Sequence, residues 1–363
     1  MNKGLKKIQK ILEKKNLNAF LISNFENIVY LSGLQILSPR EREAWLIISQ
    51  KKGFLITDGR YIEPARKLKT GFKTIELGIK QSVNKDIFPK ILKQLKAKNL
   101  GFEQNDLKFS EYNDLKKVLK IKLIPTENFI EDLRIIKQEQ EIKNIQKACQ
   151  IADSAFKQLL KEIKIGNTEK EIALRLEVLM RKKGADGIAF ESIIASGKGS
   201  AVPHYHTSDK KIKKGEILLC DFGAKYKNYL SDMTRIVFLG KASQNQKKIY
   251  NAVLKAQEKA LKQIRPGITG EQADKIARDE IKNSGFPEYS HSLGHGVGLE
   301  IHESPRLGPK RENILKKNMI FSVEPGIYIP GFGGIRIEDL VVLLDSGPKR
   351  LTRFPKSLLE VDL

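Results

Sequence analysis

Four acidic residues sit where folding of the chain would bring carboxylates together. The stretch EILLCDFGAKYKNYLSDMTRIVFLG (216–240) reads as a β-hairpin. With its turn centred between Tyr226 and Lys227, residues whose numbers sum to 453 pair, and Asp221 faces Asp232 across the strands. Two bare carboxylates ~5 Å apart repel by roughly 3 kcal/mol at an effective dielectric of about 20. The flanking ILL and IVF predict burial, which sharpens the conflict. Either a cation between the acids or one shared proton resolves it. The stretch SVEPGIYIPGFGGIRIED (322–339), folded about Gly331, sets Glu324 opposite Glu338 in the same way. Four acids on two hairpins supply enough oxygen ligands for a two-metal site. All five histidines, His204, His206, His291, His295 and His302, fall within about a hundred residues of the same region. His295 lies between glycines that allow close backbone approach. Oxygen-rich ligation with one or two imidazoles suits Mn²⁺, Co²⁺ or Zn²⁺. A pair of such ions lowers the pKa of a water toward ~7 and polarises a carbonyl. The residues themselves thus point to metal-assisted hydrolysis and leave the bond unnamed.

The elements that must hold these residues carry an internal echo. IKIGNTEKEI (163–172) matches IRPGITGEQA (264–273) at an offset of 101. Each reads as a glycine, a threonine N-cap and a Glu/Gln capping-box partner. Both predicted helices end near a glycine, Gly184 and Gly285. KKGEILLCDFG (213–223) matches KKNMIFSVEPG (316–326) at an offset of 103, placing Asp221 against Glu324. The second part of the chain is therefore expected to consist of two related halves with the site between them. Ahead of it, an amphipathic helix is predicted over 138–161. Residues 1 to about 125 alternate strand-like runs, AFLIS (19–23), AWLII (44–48) and GFLIT (53–57), with helical segments near 85–98 and 110–120. This is an α/β pattern without histidine, closed by Pro125, and the boundary falls at 125–137.

Composition removes several classes. At 363 residues the chain has room for about two domains. With 40% hydrophobic and 30% charged residues it is globular rather than disordered. No run approaches ~18 apolar residues, so no membrane span is expected. The N-terminus lacks the apolar core of a signal peptide. Cys149 and Cys220 cannot build a disulfide framework, and a reducing cytoplasm is expected. The net charge of +23 is mostly lysine scattered at single and double positions. No arginine-rich arm or aromatic-basic motif accompanies it, so no specific nucleic-acid partner is expected.

The motifs PHYH (203–206), DFGAKYKNYLSDMTR (221–235), GHGVGLEIHESPR (294–306), VEPGIYIP (323–330) and GGIRIED (333–339) resemble the pita-bread metallopeptidases, and among them the Xaa-Pro peptidases, aminopeptidase P and prolidase. The resemblance implies an α+β chain. A creatinase-like α/β N-terminal domain would span 1–130, and a catalytic pita-bread domain with pseudo-twofold duplicated halves would span 131–363. It implies Asp221, Asp232, His295, Glu324 and Glu338 as ligands of two divalent ions, manganese first, cobalt or zinc as alternatives. Asp232 and Glu338 would bridge, and Glu324 would also shuttle a proton. His204 and His302 would flank the substrate, with His302 on the scissile carbonyl. Arg306 matches a position that meets the substrate carboxylate in prolidases, and His291 would wall the proline pocket. Arg336 would steady a ligand carboxylate, and His206 is left as a solvated loop residue. Asn228 stands where the family often has glycine, and asparagine tolerates the same left-handed backbone. The implied partner is a proline-containing peptide, and the implied assembly a homodimer. Creatinase keeps the fold without the ligands, and the full ligand set here argues against a non-catalytic binding protein that retained the fold.

Overall fold

The computed structural model describes residues 3–39 and 41–361. The chain divides into two compact units, one ending at Arg134 and the other beginning at Ile135.

The first unit is built on a mixed six-stranded sheet. Its strands run in the order Lys73–Leu77, Gly53–Asp58, Ala44–Ser49, Ala19–Ile22, Asn99–Glu103 and Lys122–Thr126. The apolar runs are continuous because both sheet faces are covered. Phe20 and Ile22 pack with Leu5, Ile8 and Leu12 of the helix Lys3–Lys14. Ala19 and Leu21, pointing the other way, pack with Phe88, Ile91 and Leu92 of the helix Phe88–Gln94. Each such large side chain contributes about 1.5–3 kcal/mol on burial. The strands at 73–77, 99–103 and 122–126 have no strong apolar signal and are additions to the sequence reading. Pro125, expected to close the region, lies inside the last strand opposite Phe102. That strand is a sheet edge, where a missing N–H is tolerated.

The second unit shows the expected duplication. The helices Glu169–Lys182 and Gly270–Asn283 have the same length. Thr168 Oγ1 accepts from Glu171 N at 3.1 Å, and Glu171 Oε2 accepts from Thr168 N at 2.8 Å. Thr269 and Gln272 repeat both bonds at 3.1 and 2.8 Å. Each cap is worth about 1 kcal/mol. Isolated bridges Thr168–Lys211 and Thr269–Ile314 tie the two helix starts to equivalent chain segments. Longer helices, Glu139–Leu159 and Gln244–Gln263, precede each capped one. One sheet carries Ile193–Ser196, Ile217–Phe222, Met233–Leu239 and Leu359–Val361. A second carries Glu303–Leu307, Gly294–Gly296, Ile320–Val323, Asp339–Leu344 and Gly347–Arg350, and two smaller sheets take in the hairpin tips.

The first hairpin corrects the sequence reading. Its turn is Lys227–Asn228, one position later than expected, with φ of 50° and 63°. Two left-handed residues in succession suit the two-residue turn that matches strand twist. Asp221 therefore pairs with Thr234, not with Asp232. Moving the turn by one residue moves every partner by two, and a two-residue shift preserves the face. Asp221 and Asp232 remain on one side as diagonal neighbours. The second hairpin folds about Gly331 as expected, with Gly326 opposite Arg336 and Ile329 opposite Gly333.

Candidate metal centre

Strand ends of the second unit converge on a cavity of about 360 Å³. Asp221 lies near the end of Ile217–Phe222, and Asp232 just before Met233–Leu239. Glu324 follows Ile320–Val323, Glu338 precedes Asp339–Leu344, and His295 is the middle residue of Gly294–Gly296. All five line the cavity. Asp232, His295 and Glu338 each offer a ligating atom within 4.8 Å of the other two. His295 Nε2 is 3.3 Å from Glu324 Oε1 and 3.6 Å from Asp232 Oδ2.

Three of the carboxylates have one oxygen held by the protein. Arg336 Nη2 donates to Asp221 Oδ2 at 2.6 Å. Ser322 Oγ donates to Glu324 Oε1 at 2.8 Å. Thr234 Oγ1 accepts from Arg336 Nε at 3.0 Å and donates to Glu338 Oε2 at 2.7 Å. The other oxygens of two of these acids, Asp221 Oδ1 and Glu338 Oε1, are buried without a hydrogen-bond partner. Leaving a buried acceptor unsatisfied costs about 1–3 kcal/mol, and more for a charged one.

Electrostatics sharpen the same point. Burial pushes Asp221 up, against the pull of Arg336. Burial, then the charges of Glu338, Asp221 and Glu324, hold Asp232 well above the usual carboxylate range. Glu338 is raised by burial and by Glu324 and Asp221. Burial pushes Glu324 up to about 7. His295 is pushed down by burial to about 3, so its ring is neutral at physiological pH. Its Nδ1 lies 3.2 Å from the Gly296 carbonyl, which only accepts, so the ring proton sits there. That leaves a lone pair on Nε2 facing carboxylate oxygens. Acceptors facing acceptors across a gap, with two more oxygens orphaned, fit divalent cations.

The cavity wall takes in the remaining expected residues. His302 sets its ring against that of His295, with centroids 4.3 Å apart at 76°. Burial and the Arg306 charge lower its pKa. Arg306 lies in register opposite His295 on the neighbouring strand and lines the cavity. Its guanidinium has no ion-pair partner among the described residues. His204 lines the cavity from an exposed position, whereas the exposed His206 lies outside it. His291 has both ring nitrogens engaged. Nδ1 donates to the Ser292 carbonyl at 2.8 Å, and Nε2 accepts from the Tyr328 hydroxyl at 2.9 Å. Burial pushes it down to about 4.

Several residues of the site were absent from the sequence reading. Thr234 emerges only once the hairpin register is known. Ser322 lies two residues before Glu324 on the same face, a signal that strand period alone offered. Tyr328 stands inside the quoted VEPGIYIP motif, and its hydroxyl accepts from Arg336 Nη1 at 3.0 Å. Phe190, Ile193 and Ile301 form the apolar part of the wall and have no local signature.

A duplicated α+β unit closing on a buried carboxylate–imidazole cluster defines a metal-dependent hydrolase of the pita-bread type. Residues 143–345 match metallopeptidase family M24, and residues 5–136 match the Creatinase/Prolidase N-terminal domain. The chain belongs to metallopeptidase family M24 and is a metallo-exopeptidase that uses divalent metal. It is 40% identical over 361 residues to an Xaa-Pro dipeptidase of Pyrococcus horikoshii, covering 99% of each chain. An Xaa-Pro dipeptidase from Bacillus anthracis superposes with a TM-score of 0.93 at 38% identity, over 98% of this chain and 99% of that one. An X-Pro aminopeptidase from Thermotoga maritima gives a TM-score of 0.90, also at 38% identity, over 98% of this chain and 100% of that one. No helix among the described residues is long and apolar enough to cross a membrane.

Proposed function

We propose that this chain hydrolyses Xaa-Pro bonds, as an Xaa-Pro dipeptidase. The observation that carries the dipeptide reading is Arg306, an unpaired guanidinium in the cavity wall directly opposite His295. A fixed cation there suits the free carboxylate that a dipeptide bears one residue beyond the scissile bond. Aminopeptidase P, which takes longer peptides, is the second reading, favoured by the similarity to the Thermotoga enzyme.

Asp221, Asp232, His295, Glu324 and Glu338 would hold two divalent ions. Such ions, manganese in the first instance given the hard oxygen donors, would supply Lewis acidity and water activation near neutral pH. The residues of the chain do the rest. Glu324, with Oε1 held by Ser322, would take a proton from the attacking water and pass it to the proline nitrogen as the C–N bond breaks. His302 donates to the oxygen on which negative charge develops. His204 closes the other flank of the substrate, and Arg306 holds its carboxylate. His291, with no ring nitrogen to spare, presents its ring as a wall for proline. The Xaa-Pro bond is a tertiary amide without N–H, so the pocket needs no acceptor there.

Catalysis is assigned to 131–363, with 1–130 as the creatinase-like N-terminal domain, in a cytoplasmic homodimer. Two free, buried cysteines agree with a reducing compartment. A protein kept for binding alone would have no need for two buried, donorless carboxylate oxygens.

The test is product analysis of EDTA-stripped protein reloaded with Mn²⁺, offered an Xaa-Pro dipeptide and an Xaa-Pro-Yaa tripeptide. Cleavage of the dipeptide alone is expected. Cleavage of the tripeptide would transfer the assignment to aminopeptidase P. Cleavage of neither, repeated with Co²⁺ and Zn²⁺, would overturn the substrate class.

A further inference from the structure

Glu169 is fully buried, far from any expected ligand in sequence, and unused by the mechanism above. It opens the helix Glu169–Lys182, where the helix dipole favours an anion. Both of its oxygens are saturated. Oε1 accepts from Ser196 N at 2.8 Å and Ser196 Oγ at 2.7 Å. Oε2 accepts from Ser208 N at 3.1 Å and Ser208 Oγ at 2.7 Å. One carboxylate thus grips both ends of the segment 197–207, and His204 lies on that segment.

The segment needs such a grip because no regular strand holds it. It is a short 3₁₀ turn, Gly197–Ala201, followed by irregular chain. Its other fixed points are single side-chain bonds: at its far end Thr207 Oγ1 accepts from Ile194 N at 2.9 Å and donates to the Ser192 carbonyl at 2.8 Å. Gly334 N donates to Ser200 Oγ at 2.8 Å, and Arg336 Nη1 reaches the Pro203 carbonyl at 3.4 Å. The duplicated half offers a control within the same molecule. The residue equivalent to Glu169 is Gly270, where a Cβ would lie 2.2 Å from the Arg306 carbonyl. There the helix start packs directly on the strand Glu303–Leu307, which the sheet already fixes. A carboxylate clamp occurs in the half whose cavity-lining segment has no ladder, and a glycine in the half that has one.

We propose that Glu169 is a positioning residue for peptidase turnover, setting His204 at the cavity by clamping Ser196 and Ser208. This rests on the placement of His204 beside the substrate proposed above. Glu169→Gln keeps the shape but turns one acceptor oxygen into a donor that meets other donors. The experiment measures kcat/KM of the Mn²⁺-loaded enzyme on an Xaa-Pro dipeptide, with bound metal quantified, for Glu169→Gln, His204→Ala and the double variant. Misplacement of about 1 Å predicts a loss of order 10²-fold for Glu169→Gln at unchanged metal content. In the His204→Ala background the same change should cost nothing further, because its effect passes through that imidazole. An equal loss in both backgrounds, or no loss with His204→Ala impaired, overturns the clamp and leaves the proposed function standing. Wild-type turnover by His204→Ala overturns the placement of His204 and the clamp with it. Should Glu169→Gln fail to fold, Ser208→Ala enters the same cycle, where a smaller loss confined to the His204 background is expected and an equal loss in both overturns the proposal.

Discussion

Glu338 and Asp339 are neighbours in the chain and face opposite ways, and their surroundings could hardly differ more. On the cavity side, Glu338 has one donor to its carboxylate, Thr234, and a buried oxygen with none. On the reverse side, Asp339 is fully buried and ringed by donors. Arg235 Nη2 and Thr352 Oγ1 reach Oδ1 at 2.7 and 2.9 Å. Gln257 Nε2, Lys356 Nζ and Arg350 Nη1 approach Oδ2 at 3.1, 3.3 and 3.4 Å. Burial alone would raise Asp339, but Arg235, Lys356 and Arg350 outweigh it and hold the carboxyl below its usual range. Glu338 is held well above its own. A buried acid whose oxygens are all met by donors of the chain is part of the fold, and one left with an orphaned oxygen among like charges is built for a guest. Arg235 joins the two sides, since its Nη1 donates to the Glu338 carbonyl while its Nη2 pairs with Asp339.

The largest expected effect lies on the cavity side. Glu338→Gln or Asp232→Asn should abolish turnover and lower bound metal, read by product assay and elemental analysis of the same preparations. The metal-free protein should respond in the opposite sense, because each substitution removes an uncompensated buried charge. Its melting temperature should hold or rise. Full activity in either variant would erase the distinction between the two acids.

Asp339→Asn is the matching change on the reverse side. It leaves Arg235 buried without its counter-charge, a situation that typically costs 3–5 kcal/mol. Chemical denaturation should show a loss of that size, while the fraction that stays folded still binds metal. A stable Asp339→Asn protein that cannot bind metal would mean that the two faces are not separate.

Metal removal should expose the cavity acids to pH. The folded-state pKa of Asp232, Glu338 and Glu324 is raised, so the folded chain binds more protons than the unfolded one above the ordinary carboxylate range. Stability then falls as pH rises. The depressed values of His295 and His291 work the other way, but only below about 6.5, where an unfolded histidine takes up its proton. Between about pH 6.5 and 8, therefore, metal-free protein should lose stability by up to about 1.4 kcal/mol per pH unit for each acid still titrating. Metal-loaded protein should not. A flat profile for the metal-free form would show that the cavity acids are less strained than their orphaned oxygens imply.

How much of this was legible in the sequence follows from the range of each interaction. The acids stood out because hairpins impose period and pairing over some twenty residues, and the capped helices because each signal is complete within four. The register of the first hairpin was misplaced by one turn position, since Lys227 gives no hint that it adopts a left-handed backbone. The reverse-side cluster was invisible for another reason. Asp339 meets Arg235, Gln257 and Lys356 across long stretches of chain, and an acid next to an expected ligand carries no mark of the face it takes. Glu169 directly follows the threonine N-cap, and nothing in the sequence singles it out. Its grip on Ser196 and Ser208 depends on where a loop without periodicity returns.

The finest test of the two faces changes the same group on each. Thr234→Val and Thr352→Val both delete a hydroxyl that donates to a buried carboxylate at similar distance, 2.7 Å to Glu338 and 2.9 Å to Asp339. On the cavity side the loss removes the one side-chain donor that orients Glu338 and an acceptor for Arg336 Nε. Outer partners of metal ligands are worth about 10–100-fold in affinity, so Thr234→Val should weaken metal binding by that factor in competition with a chelator. On the reverse side Asp339 keeps four other donors. Thr352→Val should therefore cost about 1–3 kcal/mol of stability, part of it from the Leu340 N–H that the hydroxyl accepts, and leave metal affinity unchanged. Both variants retain the volume of threonine, so packing does not confound the comparison. Metal affinity lost in Thr352→Val would show that Arg235 transmits strain between the faces rather than keeping them apart, and affinity kept in Thr234→Val would show that this hydroxyl does not orient Glu338 for metal.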